Sequence, residues 1–219
     1  MRLDERVGEL RRWLEVARDG LSAESVHEVR VTGRRLRAFL TLGAHHVLVD
    51  DLRWLVGSLG RLRDLDVALE LPVAASGPFQ AWLVAERRAE AENAARLLQH
   101  PRVDALVMAL GRVPRVSKRR AHRALARLEA KLTVAQETAR RDATIDSLHE
   151  LRKAVRRTRY ALEWLGEDEA ALQRKQGLVG EACDLNLLER LLLEAGQPAA
   201  ARCVERALEL VVPALAAMR

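Results

Sequence analysis

Two stretches of this chain carry one histidine and a row of arginines at the same spacing. Residues 25–42 read SVHEVRVTGRRLRAFLTL and residues 147–164 read SLHELRKAVRRTRYALEW. His27, Arg30, Arg34, Arg35 and Arg37 of the first match His149, Arg152, Arg156, Arg157 and Arg159 of the second at one constant offset. A row of guanidinium and imidazolium donors suits the oxygens of a repeating anion, phosphate above all, because arginine offers planar, paired N–H groups. The zinc-protease helix is excluded: HExxH needs a second histidine where Val31 and Lys153 stand. A duplicated apolar stripe would report only a duplicated core, whereas a duplicated cationic stripe reports a duplicated surface.

Helical geometry gives the row its direction. At about 100° per residue, His27, Arg30, Arg34 and Arg37 fall within roughly 80° of arc along about 15 Å of axis. Val26, Val29, Leu36 and Leu40 occupy the neighbouring arc, as Leu148, Leu151, Val155 and Leu162 do in the second copy. The basic stripe therefore borders the buried face instead of opposing it, unlike an ordinary solvated face. That position predicts partial exposure and little dependence of stability on these arginines. Ser25 to Glu28 and Ser147 to Glu150 both fit the S-x-x-E capping box. The box predicts that each helix starts there, with the histidine in the first turn beside free backbone N–H groups and the positive dipole end.

Composition points the same way. Lys and Arg number 37 against 31 Asp and Glu, and 33 of the 37 are arginine. An arginine-rich coding composition would give the same bias, so placement matters more than the total. Residues 105–128 hold no acid but carry Arg112, Arg115, Lys118, Arg119, Arg120, Arg123 and Arg127, a cluster that calls for an anionic partner. His122 extends that surface beside Lys118 and Arg119. Cys183 and Cys203 offer neither a disulfide framework nor metal-ligand spacing, which fits a reducing compartment. The opening MRLDERVGELRRW is too charged for a signal-peptide core, and no apolar run reaches membrane-spanning length. A cytoplasmic protein without a membrane partner is expected.

The elements that must position these residues are helices. Alanine, leucine and arginine dominate and β-branched runs are scarce, which predicts helices at about 2–18, 23–43, 50–71, 77–99, 115–141, 145–166, 168–194 and 198–217. Pro213 should kink or fray the last of them. The expected organisation is a four-helix bundle over 1–100, a joining segment at 101–114 and a second four-helix bundle over 115–219.

A second repeat follows the first. Gly57-Ser-Leu-Gly60-Arg-Leu-Arg-Asp64-Leu-Asp66 aligns with Gly177-Leu-Val-Gly180-Glu-Ala-Cys-Asp184-Leu-Asn186. Glycine inside a helix costs about 1 kcal/mol relative to alanine, so paired glycines mark close packing or a local break. Asp64 and Asp184 are read as structural partners that hold arginines in place, with catalytic acids as the alternative. Together VHEVRVTGRRLRAFLTL, LGRLRDLDV, LHELRKAVRRTRYALEWL and LVGEACDLNLL resemble the conserved histidine α-helical domain, the CHAD family, over nearly the whole chain. The resemblance implies an all-α fold of two pseudo-two-fold-related four-helix bundles with a central basic cleft or pore. It further implies non-catalytic binding of inorganic polyphosphate, with a polyphosphate granule or a triphosphate-tunnel enzyme as the associated partner. By position, the family's basic residues fall on His27, Arg30, Arg34, Arg35, Arg37, His149, Arg152, Arg156, Arg157 and Arg159. Lys153 belongs to the same stretch, and Arg53 and Lys175 precede the two glycine motifs at basic positions of the family. Arg61 and Arg63 lie inside the first glycine motif, but Glu181 and Cys183 replace them in the second, and the final helix with Arg202 and Arg206 is less basic than the family pattern.

Two rival functions compete with this reading. A basic cleft also meets nucleic-acid backbones, since phosphate contacts position without specifying. Against that, Trp13, Phe39, Trp54, Phe79, Trp82, Tyr160 and Trp164 are the only aromatics, several at apolar helical positions, and no base-reading module is present. A phosphohydrolase would need a metal site from His27, His149, Asp64, Asp184 or the pair His45-His46. No HD dipeptide, CxxC or HxxxH pattern supports one, and adjacent histidines on a helix point about 100° apart. No cofactor, metal or catalytic residue is assigned.

Overall fold

The two basic helices begin at 23 and 145, as their expected ranges have it, but the caps lie three residues before the serines of the S-x-x-E boxes. The computed structural model describes residues 2–72 and 77–217, and among them are ten helices and no strand. The first basic helix, α2 (Ala23–Gly43), follows α1 (Leu3–Asp19) and is capped by Ser22, whose side chain accepts from the amide of Ser25 at 3.1 Å. The second, α8 (Ile145–Leu165), is capped by Thr144 in a reciprocal box with Ser147. Ser25 and Ser147 are therefore third-position partners and not the caps. Each histidine sits in the second turn, away from the free amides. Ser22 and Thr144 win because each is an extended residue with a serine three positions on, which satisfies the first turn locally.

The helix expected over 50–71 divides in two. It starts at His46 as α3 (His46–Ser58), and α4 (Gly60–Leu69) follows after Leu59 leaves helical geometry at φ −89°, ψ 9°. In an unbroken helix the carbonyl of Val56 would take the amide of Gly60. Here the buried guanidinium of Arg30 donates to that carbonyl through Nη1. A cation at a helix C-terminus satisfies exposed carbonyls and the negative dipole end together. Gly33 of α2 permits the approach, since a Cβ there would fall 2.6 Å from Val56 Cγ2. The second glycine motif has no such break and runs inside α9 (Ala170–Glu194).

The expected joining segment is also helical. After α5 (Gly77–Leu98), α6 (Pro101–Leu110) is capped by His100, whose Nδ1 accepts from Arg102 N at 3.1 Å. Its Val103, Leu106, Val107 and Leu110 are buried at helical spacing. Arg18 of α1 donates to the Leu98 carbonyl at 3.0 and 2.8 Å and to Asp104 at 2.8 Å. Arg102 binds Asp51 at 2.6 Å and covers the Trp54 ring at 4.3 Å. Residues 101–110 are thereby part of the first bundle and not a connector.

The chain forms two compact units, Met1–His122 and Arg123–Arg219, with the division inside α7 (Lys118–Asp142). The first is centred on buried Leu10, Leu36, Leu40, Leu52, Leu55, Leu62, Leu83 and Leu106. The second centres on Leu132, Ala139, Leu148, Leu151, Val155, Val179, Ala182, Cys183, Leu208 and Val212, supplied by α7, α8, α9 and α10 (Pro198–Ala217). Pro213 does not end α10, which continues to Ala217.

One buried ion pair holds the first unit. Asp66, 2% exposed, accepts from Arg87 Nε at 2.6 Å, and Arg87 Nη2 reaches the Leu21 carbonyl at 2.7 Å. This pair joins α4 and α5 to the loop before α2. Removing one partner of a buried pair strands the other, so Asp66→Ala is expected to cost roughly 3 kcal/mol in urea unfolding. Arg88→Ala, which removes the exposed Arg88–Glu92 pair, should leave the unfolding midpoint nearly unchanged.

Candidate functional site: two basic helix faces

In the first unit α2 packs on α3 and α4, and the basic row divides by depth. Arg30 is only 9% exposed and is committed to the Val56 carbonyl. A Cβ at Gly60 would lie 3.4 Å from Arg30 Nη1, so this glycine leaves the guanidinium its slot. Arg34, Arg35 and Arg37 are half-buried along the same helix, and His27 is half-exposed. Arg63 of α4 stands near enough to His27 to act on it electrostatically, so this face draws cations from two helices. Acids border it: Glu70 pairs with Arg63 at 3.4 Å, and Glu28 approaches His27 at 4.0 Å. Arg61 turns to α5 instead, 3.6 Å from Glu86 and over the Trp82 ring at 5.9 Å. Arg53 is exposed and paired with Asp50 on its own helix. Asp64 is half-buried on α4. Lys118, Arg119 and His122 are exposed on the first turns of α7, where His122 Nδ1 donates to the Lys118 carbonyl at 2.8 Å.

In the second unit α8 packs on α9. Arg152 meets Asp184 at 3.7 Å, and a Cβ at Gly180 would be 3.9 Å from the Arg152 Nη2. The two copies thus share one device, a helix arginine laid over the second glycine of the facing helix. Lys153 pairs with Glu150 at 2.6 Å; Arg156 is half-buried and Arg157 exposed. Arg159 departs from expectation. At 8% exposure it donates to Gln176 at 3.1 Å and to Glu169 at 3.0 Å, with its guanidinium 4.5 Å over Tyr160. It ties α8 to the start of α9 and presents little charge outward. Lys175 is not brought to this face either. Nine residues before Asp184 on one helix, it points about 180° away and borders an apolar recess with Arg140, Leu151 and Leu215.

Both histidines titrate below their ordinary range. Burial is the main cause for each. Arg63 and Arg34 lower His27 further while Glu28 and Glu70 oppose them; Arg152 and Lys153 act on His149 against Asp146 and Glu150. The arrangement can hold an extended anion against half-buried guanidinium groups. Among the described residues, no group of three or more His, Cys, Asp or Glu is placed to hold a metal ion, and no helix is long and apolar enough to cross a membrane.

The expected partial exposure does not hold for Arg30 and Arg159, both buried with hydrogen-bonded partners. Partners such as the Val56 carbonyl, Glu70, Glu169 and Gln176 lay outside the sequence reading; only the duplicated glycines hinted that something packs closely there. Arg30→Met is expected to lower unfolding stability by about 2 kcal/mol, the scale of a buried charged hydrogen bond. The histidines predict a pH effect of definite sign. Folding lowers their pKa values, so the unfolded chain binds these protons first. Their neutral forms contribute stability above about pH 6.5 that is lost as the pH falls below it. The drop in melting temperature on acidification should therefore be smaller in the His27→Gln/His149→Gln variant.

Comparison with known proteins follows the same lines. The family model of the CHAD domain matches residues 1–193. The crystal structure of the CHAD domain from the plant Ricinus communis is similar at 26% identity and a TM-score of 0.73, covering 99% of this chain and 90% of that one. PptA from Streptomyces chartreusis shares the fold at 17% identity and a TM-score of 0.77, covering 97% and 93%. No curated protein matches the chain.

Proposed function

The chain belongs to the CHAD-domain family, generally linked to polyphosphate binding, and from that premise we propose that it binds inorganic polyphosphate without cleaving it. The observation that carries this reading is the matched pair of basic faces, one on α2 with α4 and one on α8. Each sets half-buried arginines beside a histidine along one helix edge. A phosphate chain repeats its negative oxygens without base edges, so a row of cationic donors is sufficient for recognition. The scarcity of exposed aromatics supports a ligand that needs no stacking. Two rows carried by one polypeptide also favour a long ligand, since the second contact gains effective concentration from the first.

A ladder of polyphosphate chain lengths tests this directly, with affinity and chain length after incubation both measured, with and without magnesium or manganese. Affinity is expected to rise steeply with length and then level off, with orthophosphate and pyrophosphate weak and chain length unchanged. Flat affinity across the ladder would contradict the two-row reading. Metal-dependent shortening of the chains would move the protein into the hydrolases. Acidification should tighten binding, because the anion favours protonated His27 and His149. The gain is expected to shrink in the double glutamine variant.

A further inference from the structure

We infer that the two basic faces are unequal, and that the α2–α4 face of the first unit is the primary grip while the α8 face is a secondary contact. The inference rests on polyphosphate binding as proposed above and assigns its main determinant to Arg63. Three observations carry it. First, the α2–α4 face is two helices wide. Helix α4 packs on α2, and Arg63 of α4 acts electrostatically on His27 of α2, so a phosphate there can be met from two helices. In the second unit the charged neighbours acting on His149, namely Arg152, Lys153, Asp146 and Glu150, all belong to α8 itself.

Second, the residues aligned with the cations of α4 carry none. Cys183 stands at the place of Arg63, 3% exposed, and burial pushes its thiol up, so it is uncharged at neutral pH. Glu181 stands at the place of Arg61 and is exposed, a negative charge where the first unit has a positive one. Third, Arg37 and Arg159 have parted roles. Arg37 remains half-buried along α2, whereas Arg159 is sunk between Glu169 and Gln176. Arg30 works in the opposite direction, being spent on Val56 while Arg152 stays a third exposed. Asp184 at 3.7 Å offsets that advantage, as an acid beside the Arg152 guanidinium.

The chief competitor for Arg63 is Glu70, itself mostly exposed and 3.4 Å away. Ion pairs of this kind open readily. Glu70 would then be a built-in rival of the phosphate oxygens, and its removal should strengthen binding.

The test uses the full-length chain and a synthetic polyphosphate of about ten phosphates, long enough to fill one helix face of about 15 Å. Two double variants are compared, Arg34→Gln/Arg63→Gln on the first face and Arg156→Gln/Arg157→Gln on the second. Each removes two positive charges, so a purely net-charge effect would be the same in both. The first is expected to lose about 30-fold or more in affinity and the second less than about 5-fold, on the scale of charge-assisted phosphate contacts. A third variant, Glu70→Gln, should tighten binding several-fold, a gain that misfolding cannot produce. Equal losses in the two double variants, or a larger loss in the second, would overturn the asymmetry and leave polyphosphate binding standing. Unchanged affinity for Glu70→Gln would overturn the role of Arg63. If neither double variant changes affinity, the inference falls together with the proposed function.

Discussion

A guanidinium laid into a broken helix is the interaction on which the first unit depends. Arg30 Nη1 donates to the Val56 carbonyl where α3 stops, and Gly60 opens the following helix without a side chain in its way. The charge is almost out of water, so its position must be supported from several sides. Gly33 brings α2 close to α3, and the Asp66–Arg87 pair fixes α4 against α5. With α4 so placed against α2, Arg63 acts electrostatically on His27. The second unit solves the same problem differently: Arg152 stays half-exposed and meets Asp184, and α9 runs unbroken past Gly180.

Assembling like charges on one edge costs free energy that must be offset. Burial and neighbouring guanidinium groups depress both histidines, while Glu28, Glu70, Asp146 and Glu150 work against that trend. These acids soften the repulsion in the empty protein without closing the faces. A bound polyanion would replace them as counter-charge and release condensed counterions, which makes the interaction dependent on salt.

Much of this was legible in the residues, for identifiable reasons. The all-α class and the family followed from two motifs, each present twice in the same order, and helix boundaries followed from proline, glycine and apolar spacing. The cap positions did not, because S-x-x-E at Ser25 and Ser147 competes with an equally good serine or threonine three residues earlier. The break at Leu59 depends on a partner, Arg30, that is distant in sequence. Residues 101–110 resembled a connector because they are short and proline-flanked, although their apolar stripe already had helical spacing. At the site, the residue types were readable but their depth was not. Arg159 and Arg37 occupy the same place in the repeat, but Arg159 is buried against Glu169 and Gln176.

The central claim is that these faces recognise a bare phosphate chain, and not any polyanion. Titrating polyphosphate, DNA and RNA at matched phosphate concentration over several salt concentrations tests it most directly. The expected result is tighter binding of polyphosphate than of either nucleic acid at every salt level, with all three weakening as salt rises. Comparable affinity for the three ligands would contradict it.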